Sequence, residues 1–145
     1  MNPWLAYCDG SALPNPGRIG LGAVLTEPDG TRHTLSQTTH EIGCNNEAEL
    51  RALLATLREL KTRGAGTLLI HCDNSVVVEQ ASSSTAKPIP RLATLFDEAR
   101  ALLNSFEHAT LKWVPRHRNQ EADALARAAL GLAVHRTAKR VKRRR

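Results

Sequence analysis

Thr67-Leu68-Leu69-Ile70-His71-Cys72-Asp73 is the stretch on which the fold turns. Its apolar run has the length of a buried strand, and it closes on an acid. A helix precedes it. From Asn46 to Arg63, Leu50, Leu53, Leu54, Leu57 and Leu60 recur at helical spacing along one face, and Gly64 and Gly66 end the run. Further upstream, Leu5 to Asp9 reads as a second buried strand that also closes on an acid. A helical crossover between two strands makes them parallel. Its right-handed course sets the two side by side. Ile19 to Thr26 and Thr31 to Thr39, joined by the turn Pro28-Asp29-Gly30, complete an antiparallel meander with the first strand. Downstream come a short helix from Ser75, a polar breaker over 81–88 and an amphipathic helix from Pro90 to Leu103. A last strand, Thr110 to Val114, and a last helix, Asn119 to Leu132, follow. The order predicts an α/β domain with a five-stranded mixed sheet flanked by helices.

Four carboxylates stand at element ends in this arrangement. Asp9 and Asp73 close the two adjacent parallel strands, and ligand sites in open α/β sheets favour those carboxyl ends. Glu49 follows Asn45-Asn46 in the first turn of the long helix, and Asp123 enters the final helix six positions after His117. Each has an ordinary explanation alone. Asp9 precedes a glycine, as turn residues do; Asn46 and Glu49 have capping-box spacing; Asp73 can cap the helix at Ser75; Asp123 suits a helix start. Together they form a set that gathers hard cations. Mg²⁺ prefers carboxylates with substrate phosphate oxygens, and two such ions clamp the attacking and leaving oxygens of a phosphodiester. Glu47 competes with Glu49 for the second position. The two lie about 200° apart on a helix, so both cannot face one site.

Composition narrows the class. A chain of 145 residues with 41% hydrophobic content fits one domain with a real core. No apolar run approaches the ~20 residues of a membrane span. No basic segment precedes the first apolar residues, so the expected location is the cytoplasm, with no membrane partner. Cys8, Cys44 and Cys72 lack metal-ligand spacing and read as reduced, buried thiols; alternation points Cys8 and Cys72 away from the neighbouring acids. The net charge of +6 is segregated. Residues 136–145 hold seven of the twenty basic side chains and no acid, while the other 135 residues sum to −1. The expected division is a domain over 1–135 and a flexible basic tail suited to polyanions. Aromatic content is 3%, too little for a base-stacking platform.

The motifs resemble those of the type 1 ribonuclease H family over roughly residues 5–132. They are Asp9-Gly10-Ser11 with Asn15-Pro16-Gly17, then Asn45-Asn46-Glu47-Ala48-Glu49-Leu50, then Cys72-Asp73-Asn74-Ser75. Trp113-Val114-Pro115-Arg116-His117 and Asn119-Gln120-Glu121-Ala122-Asp123-Ala124-Leu125-Ala126 follow. The resemblance implies a ribonuclease H-like fold and endonucleolytic hydrolysis of the RNA strand of RNA–DNA hybrids. It selects Glu49 over Glu47, and implies two Mg²⁺ or Mn²⁺ ions on Asp9, Glu49, Asp73 and Asp123, with products ending in 5′-phosphate and 3′-hydroxyl. His117 then assists proton handling or product departure, a task suited to a group that titrates near neutrality. Gly10, Ser11, Asn15, Pro16, Gly17, Asn45, Asn46 and Ser75 are the expected substrate contacts, reading the 2′-hydroxyl at the sugar edge. Double-stranded RNA is a further partner that such contacts admit. No lysine- and tryptophan-rich insertion lies between Ser82 and Phe96, and the His117 loop is short. Two other classes stay open: a DNA nuclease or strand-transfer enzyme of the same fold, which the asparagines oppose, and a noncatalytic nucleic-acid module, which the complete acid set opposes.

Overall fold

A computed structural model describes residues 2–83 and 89–131. The basic tail over 136–145, the boundary at 135 and most of the polar breaker lie outside the described residues. Five strands and four α-helices alternate as the sequence predicts. They are β1 (Trp4–Leu13), β2 (Gly17–Thr26), β3 (Arg32–Gly43), α1 (Asn45–Thr62), β4 (Thr67–Cys72), α2 (Ser75–Ser82), α3 (Ala93–Asn104), β5 (His108–Trp113) and α4 (Gln120–Ala129). The sheet order is β3-β2-β1-β4-β5. β1 pairs with β2 antiparallel and with β4 in parallel, and β5 extends the parallel half.

Several boundaries move. β3 runs on to Gly43, because its pairing with β2 resumes at Ile42 and Gly43 after an irregularity between Arg18 and Gly20. The helix expected from Pro90 begins as a 3₁₀ turn at Pro90–Leu92 and becomes α-helical at Ala93. α1 starts one residue early, with Cys44 in the N-cap position and no side-chain cap bond. The capping-box explanation of Glu49 therefore fails.

The core lies between the sheet and α1. Leu50, Leu53, Leu57 and Leu60 are fully buried there, with Cys8, Ile70 and Cys72 from the strands. Burial of this many large aliphatic side chains, at roughly 1.5–3 kcal/mol each, is the main favourable term of the fold. Cys8 and Cys72 point into this core, as alternation predicts, with their sulfurs 3.7 Å apart across the parallel pair. Cys44 departs from the expectation of burial. It is half-exposed, and the Arg91 guanidinium donates to its Sγ at 2.8 Å.

α4 packs on the opposite face of the sheet. A Cβ added at Gly22 would sit 2.3 Å from the Ala122 carbonyl oxygen, so a bare backbone there lets α4 approach. Gly22 is the register partner of Asp9. Close packing of α4 thus brings Asp123 over the part of β1 that carries Asp9, which lies inside the strand and not at its end as expected.

Candidate active site

Asp9, Glu49 and Asp73 converge. One carboxylate oxygen from each lies within 4.8 Å of the others. Asp9 stands on β1 and Asp73 follows β4, so the parallel pairing of these strands fixes two of the three. Glu49 arrives from the first turns of α1. The close approach at Gly10 makes that possible: a Cβ there would fall 2.1 Å from the Ala48 carbonyl oxygen and 2.7 Å from the Glu49 nitrogen. The Gly10 N–H donates to Glu49 Oε1 at 3.1 Å, which orients the carboxylate. Glu47 turns away, as helix geometry requires. Its carboxylate takes Arg51 Nε at 2.8 Å and faces Arg91 at 3.6 Å.

The electrostatics of this cluster are those of a site short of positive charge. Burial pushes the Asp9 carboxyl up to about 11, reinforced by its hydrogen bond and repulsion with Glu49 and by the charge of Asp73. Burial likewise pushes Glu49 up to about 8. The hydrogen bond between the two carboxyls raises Asp9 and lowers Glu49, so Asp9 holds its proton the more tightly and donates it to Glu49. A hard dication placed among these oxygens would replace that proton, so the donor set fits one.

Asp123 lies outside the three-acid cluster but lines the same cleft. One turn along α4, Arg127 holds it at 3.2 Å. An ion pair this exposed is worth about 0–1 kcal/mol, so the carboxylate is easily released. Asp73 does not cap α2. Asn74 does, its side chain accepting from the Val77 N–H at 3.1 Å. That leaves the Asp73 carboxylate free of the helix end.

The cleft, about 430 Å³, is also lined by Gly10, Ser11, Asn15, Asn45 and Ser75. Its asparagines organise one another. Asn15 Oδ1 accepts from the Asn45 N–H at 3.0 Å, and Asn45 Oδ1 from the Ala12 N–H at 3.1 Å. Asn46 turns to Asn74, accepting from its amide at 2.8 Å. Pro16, Gly17 and Asn46 do not line the cleft, and neither does His117. His117 sits exposed in a 3₁₀ turn at Arg116–Arg118, of which Arg116 is the member that reaches the cleft. His71 is structural, with Nδ1 3.1 Å from the Ala6 carbonyl and its ring stacked on Tyr7.

One site residue escapes the sequence reading. Asn119 is 1% exposed. Its Nδ2 donates to the Cys8 carbonyl at 2.9 Å and to Asp73 Oδ2 at 3.0 Å. Two acceptors on that atom fix which way the amide points. The side chain therefore ties β1, at the residue before Asp9, to the carboxylate after β4. Trp113 adds a second tie, its indole N–H donating to the Asp73 carbonyl at 3.1 Å. In the sequence Asn119 is only the first residue of the expected last helix, one turn before Asp123; in the structure it stands at the N-cap position without a side-chain cap bond.

Comparison with known proteins agrees with this geometry. A family profile described as reverse transcriptase-like matches residues 7–129. A bifunctional protein of Mycobacterium tuberculosis is 38% identical over 127 residues, covering 86% of this chain and 35% of that one. The chain thus spans about a third of the length of that relative. Ribonuclease HI of Halobacterium salinarum is 34% identical over 125 residues, covering 86% of this chain and 63% of that one. The crystal structure of RNase H1 from that archaeon superposes with a TM-score of 0.81, covering 88% of this chain and 96% of that one. LC11-RNase H1, crystallised with an RNA/DNA hybrid, superposes with a TM-score of 0.75 at 26% identity, covering 87% and 95%. A profile spanning most of the chain, and 34% identity across nearly all of a solved RNase H1, converge on one assignment: the chain belongs to the type 1 ribonuclease H family.

Proposed function

We propose that this chain is a divalent-metal-dependent endonuclease that hydrolyses the RNA strand of an RNA–DNA hybrid, leaving 5′-phosphate and 3′-hydroxyl ends. The observation that carries the reading is the convergence of Asp9, Glu49 and Asp73 within 4.8 Å, in a cleft that Asn15, Asn45 and Asn74 also line. Asp9, Glu49, Asp73 and Asp123 are the residues that would hold Mg²⁺ or Mn²⁺. Two such ions, when bound, supply an activated water and neutralise charge on the leaving 3′-oxygen. The protein's own groups do the rest. Gly10 N–H orients Glu49, and Asn119 with Trp113 fixes Asp73, so the carboxylates are set before substrate arrives. Asn15 and Asn45, with the backbone at Gly10 and Ser11, present polar groups to the sugar edge, where a 2′-hydroxyl marks RNA. His117, on its exposed turn, moves a proton at the leaving oxygen or eases product departure.

The test is a hybrid labelled on the RNA strand, beside DNA–DNA and RNA–RNA duplexes of the same sequence, in Mg²⁺ and in chelator. Cuts are expected in the RNA strand of the hybrid, in Mg²⁺ alone, with the DNA duplex intact. The Asp73→Asn variant, which keeps volume but loses a charged ligand, should be folded and inactive. DNA duplex cleavage at the hybrid's rate, or near-normal turnover by Asp73→Asn, overturns the reading.

A further inference from the structure

Twelve lysines and arginines lie among the described residues. Eight are committed to an acid or another polar group of the chain, as Arg58 is to Glu98 and Arg63 to Glu59. The remaining four, Arg18, Lys112, Arg116 and Arg118, are exposed and have no ion-pair or hydrogen-bond partner among the described residues. Their placement follows the cleft. Arg116 lines it, as Asp123 does. Arg118 lines a separate hollow together with Asn119, whose amide holds Asp73. Lys112 is the register partner of His71, next to the Trp113 that holds the Asp73 carbonyl. On the other flank, Arg18 is the register partner of Leu13, which lines the cleft, and follows Gly17.

This distribution has an electrostatic consequence. A carboxylate cluster repels a polyanion, and residues 1–135 sum to −1, so their net charge does not draw a duplex in. Cations already neutralised on the body offer little to an incoming phosphate. Four unpaired ones beside the acids do. We infer that Arg18 on one flank and Lys112, Arg116 and Arg118 on the other form a phosphate seat that holds the backbone of a duplex nucleic acid across the carboxylate cleft. The inference rests on the hybrid-cleavage reading for the identity of the duplex. It assigns to four scattered residues the grip that an inserted basic segment would otherwise supply.

Each phosphate neutralised steepens the dependence of log K on log salt by about 0.9. The experiment measures anisotropy of a labelled hybrid against the full chain in chelator, over a range of salt. Arg116→Ala/Arg118→Ala is compared with Arg58→Ala/Arg63→Ala, which removes the same net charge from paired positions. Both keep the tail, so its contribution cancels. The first pair should weaken binding about tenfold at moderate salt and flatten the slope by about 1.8; the second should leave the slope unchanged. Arg18→Ala should remove a further ~0.9. Arg116→Gln/Arg118→Gln, which keeps most of the side-chain length, should behave as the alanine pair does. Equal slopes for the two alanine pairs overturn the seat. A flattened slope without Mg²⁺-dependent hybrid cleavage by the wild type sustains the seat and overturns the cleavage reading instead.

Discussion

At the scale of single residues, the buried carboxyls set the behaviour of the metal-free protein. Asp9 and Glu49 are both raised by burial, so the folded state holds protons that the unfolded state has released. Stability from this source is fully present below the ordinary carboxylate range. It is lost as pH climbs toward about 8 for Glu49 and about 11 for Asp9. In chelator, the melting temperature of the wild type should therefore fall from pH 5 to pH 8 more steeply than that of Asp9→Asn, which has no carboxyl to titrate there. A gap of about 4 °C at pH 8, or roughly 1 kcal/mol, is expected. Mg²⁺ should narrow it by stabilising the wild type. Parallel melting curves would remove the burial argument. The choice between the two glutamates is tested separately. Glu49→Gln keeps an acceptor for the Gly10 N–H yet loses its charge, and should cut turnover at least a hundredfold. Glu47→Gln breaks pairs with Arg51 and Arg91, and should cost about 1–3 kcal/mol of stability with turnover within a few-fold. The reverse ranking in a hybrid-cleavage assay would reassign the site. The acids were legible in the sequence because each follows an apolar strand run or opens a helix, although β1 does not close at Asp9 as expected and runs on to Leu13. Asn119 was not, because its partners Cys8 and Asp73 are 111 and 46 residues away, and nothing local distinguishes a clamp from a cap.

At the scale of elements, the parallel pair β1–β4 and the helix between them were readable from hydrophobic period and crossover chirality. The distance at which helices seat on the sheet was not, since it depends on glycines whose neighbours are remote. Gly10 is the sharpest case. It reads as half of an Asp-Gly turn, yet it lies within a strand, jammed against the Ala48 carbonyl oxygen. Gly10→Ala should drive α1 from β1. The expected cost is about 1–3 kcal/mol from overpacking, with a loss of turnover larger than the unfolded fraction explains, because Glu49 rides on the displaced helix. Gly66→Ala is the control. Its added Cβ meets only Glu107 Oε1 at 3.7 Å, so it should leave both quantities near wild type. Thermal melts and cleavage rates on the same preparations check the pair. Wild-type turnover in a destabilised Gly10→Ala would show that Glu49 tolerates the shift.

For the whole molecule, charge is divided between a near-neutral body and the segment 136–145 with its seven basic side chains. Of the four free cations among the described residues Arg116 lines the cleft, and in the inferred seat the four together would select where a duplex lies. The seven basic side chains of 136–145 would attract polyanions by counterion release, whatever the sequence of the duplex. The two sources should therefore separate in kinetics. Removing residues 136–145 should raise KM at moderate salt and flatten its salt dependence by several multiples of about 0.9, while kcat stays within twofold, because every carboxylate and its supports remain. Removing the tail should also weaken binding to hybrid and DNA duplex alike, since neither sugar nor sequence enters the attraction. Steady-state constants from low to physiological salt, on the full chain and the truncated one, decide it. A fall in kcat with unchanged KM would place the segment in the catalytic cycle rather than in capture. Unchanged constants throughout would assign it to solubility or another partner.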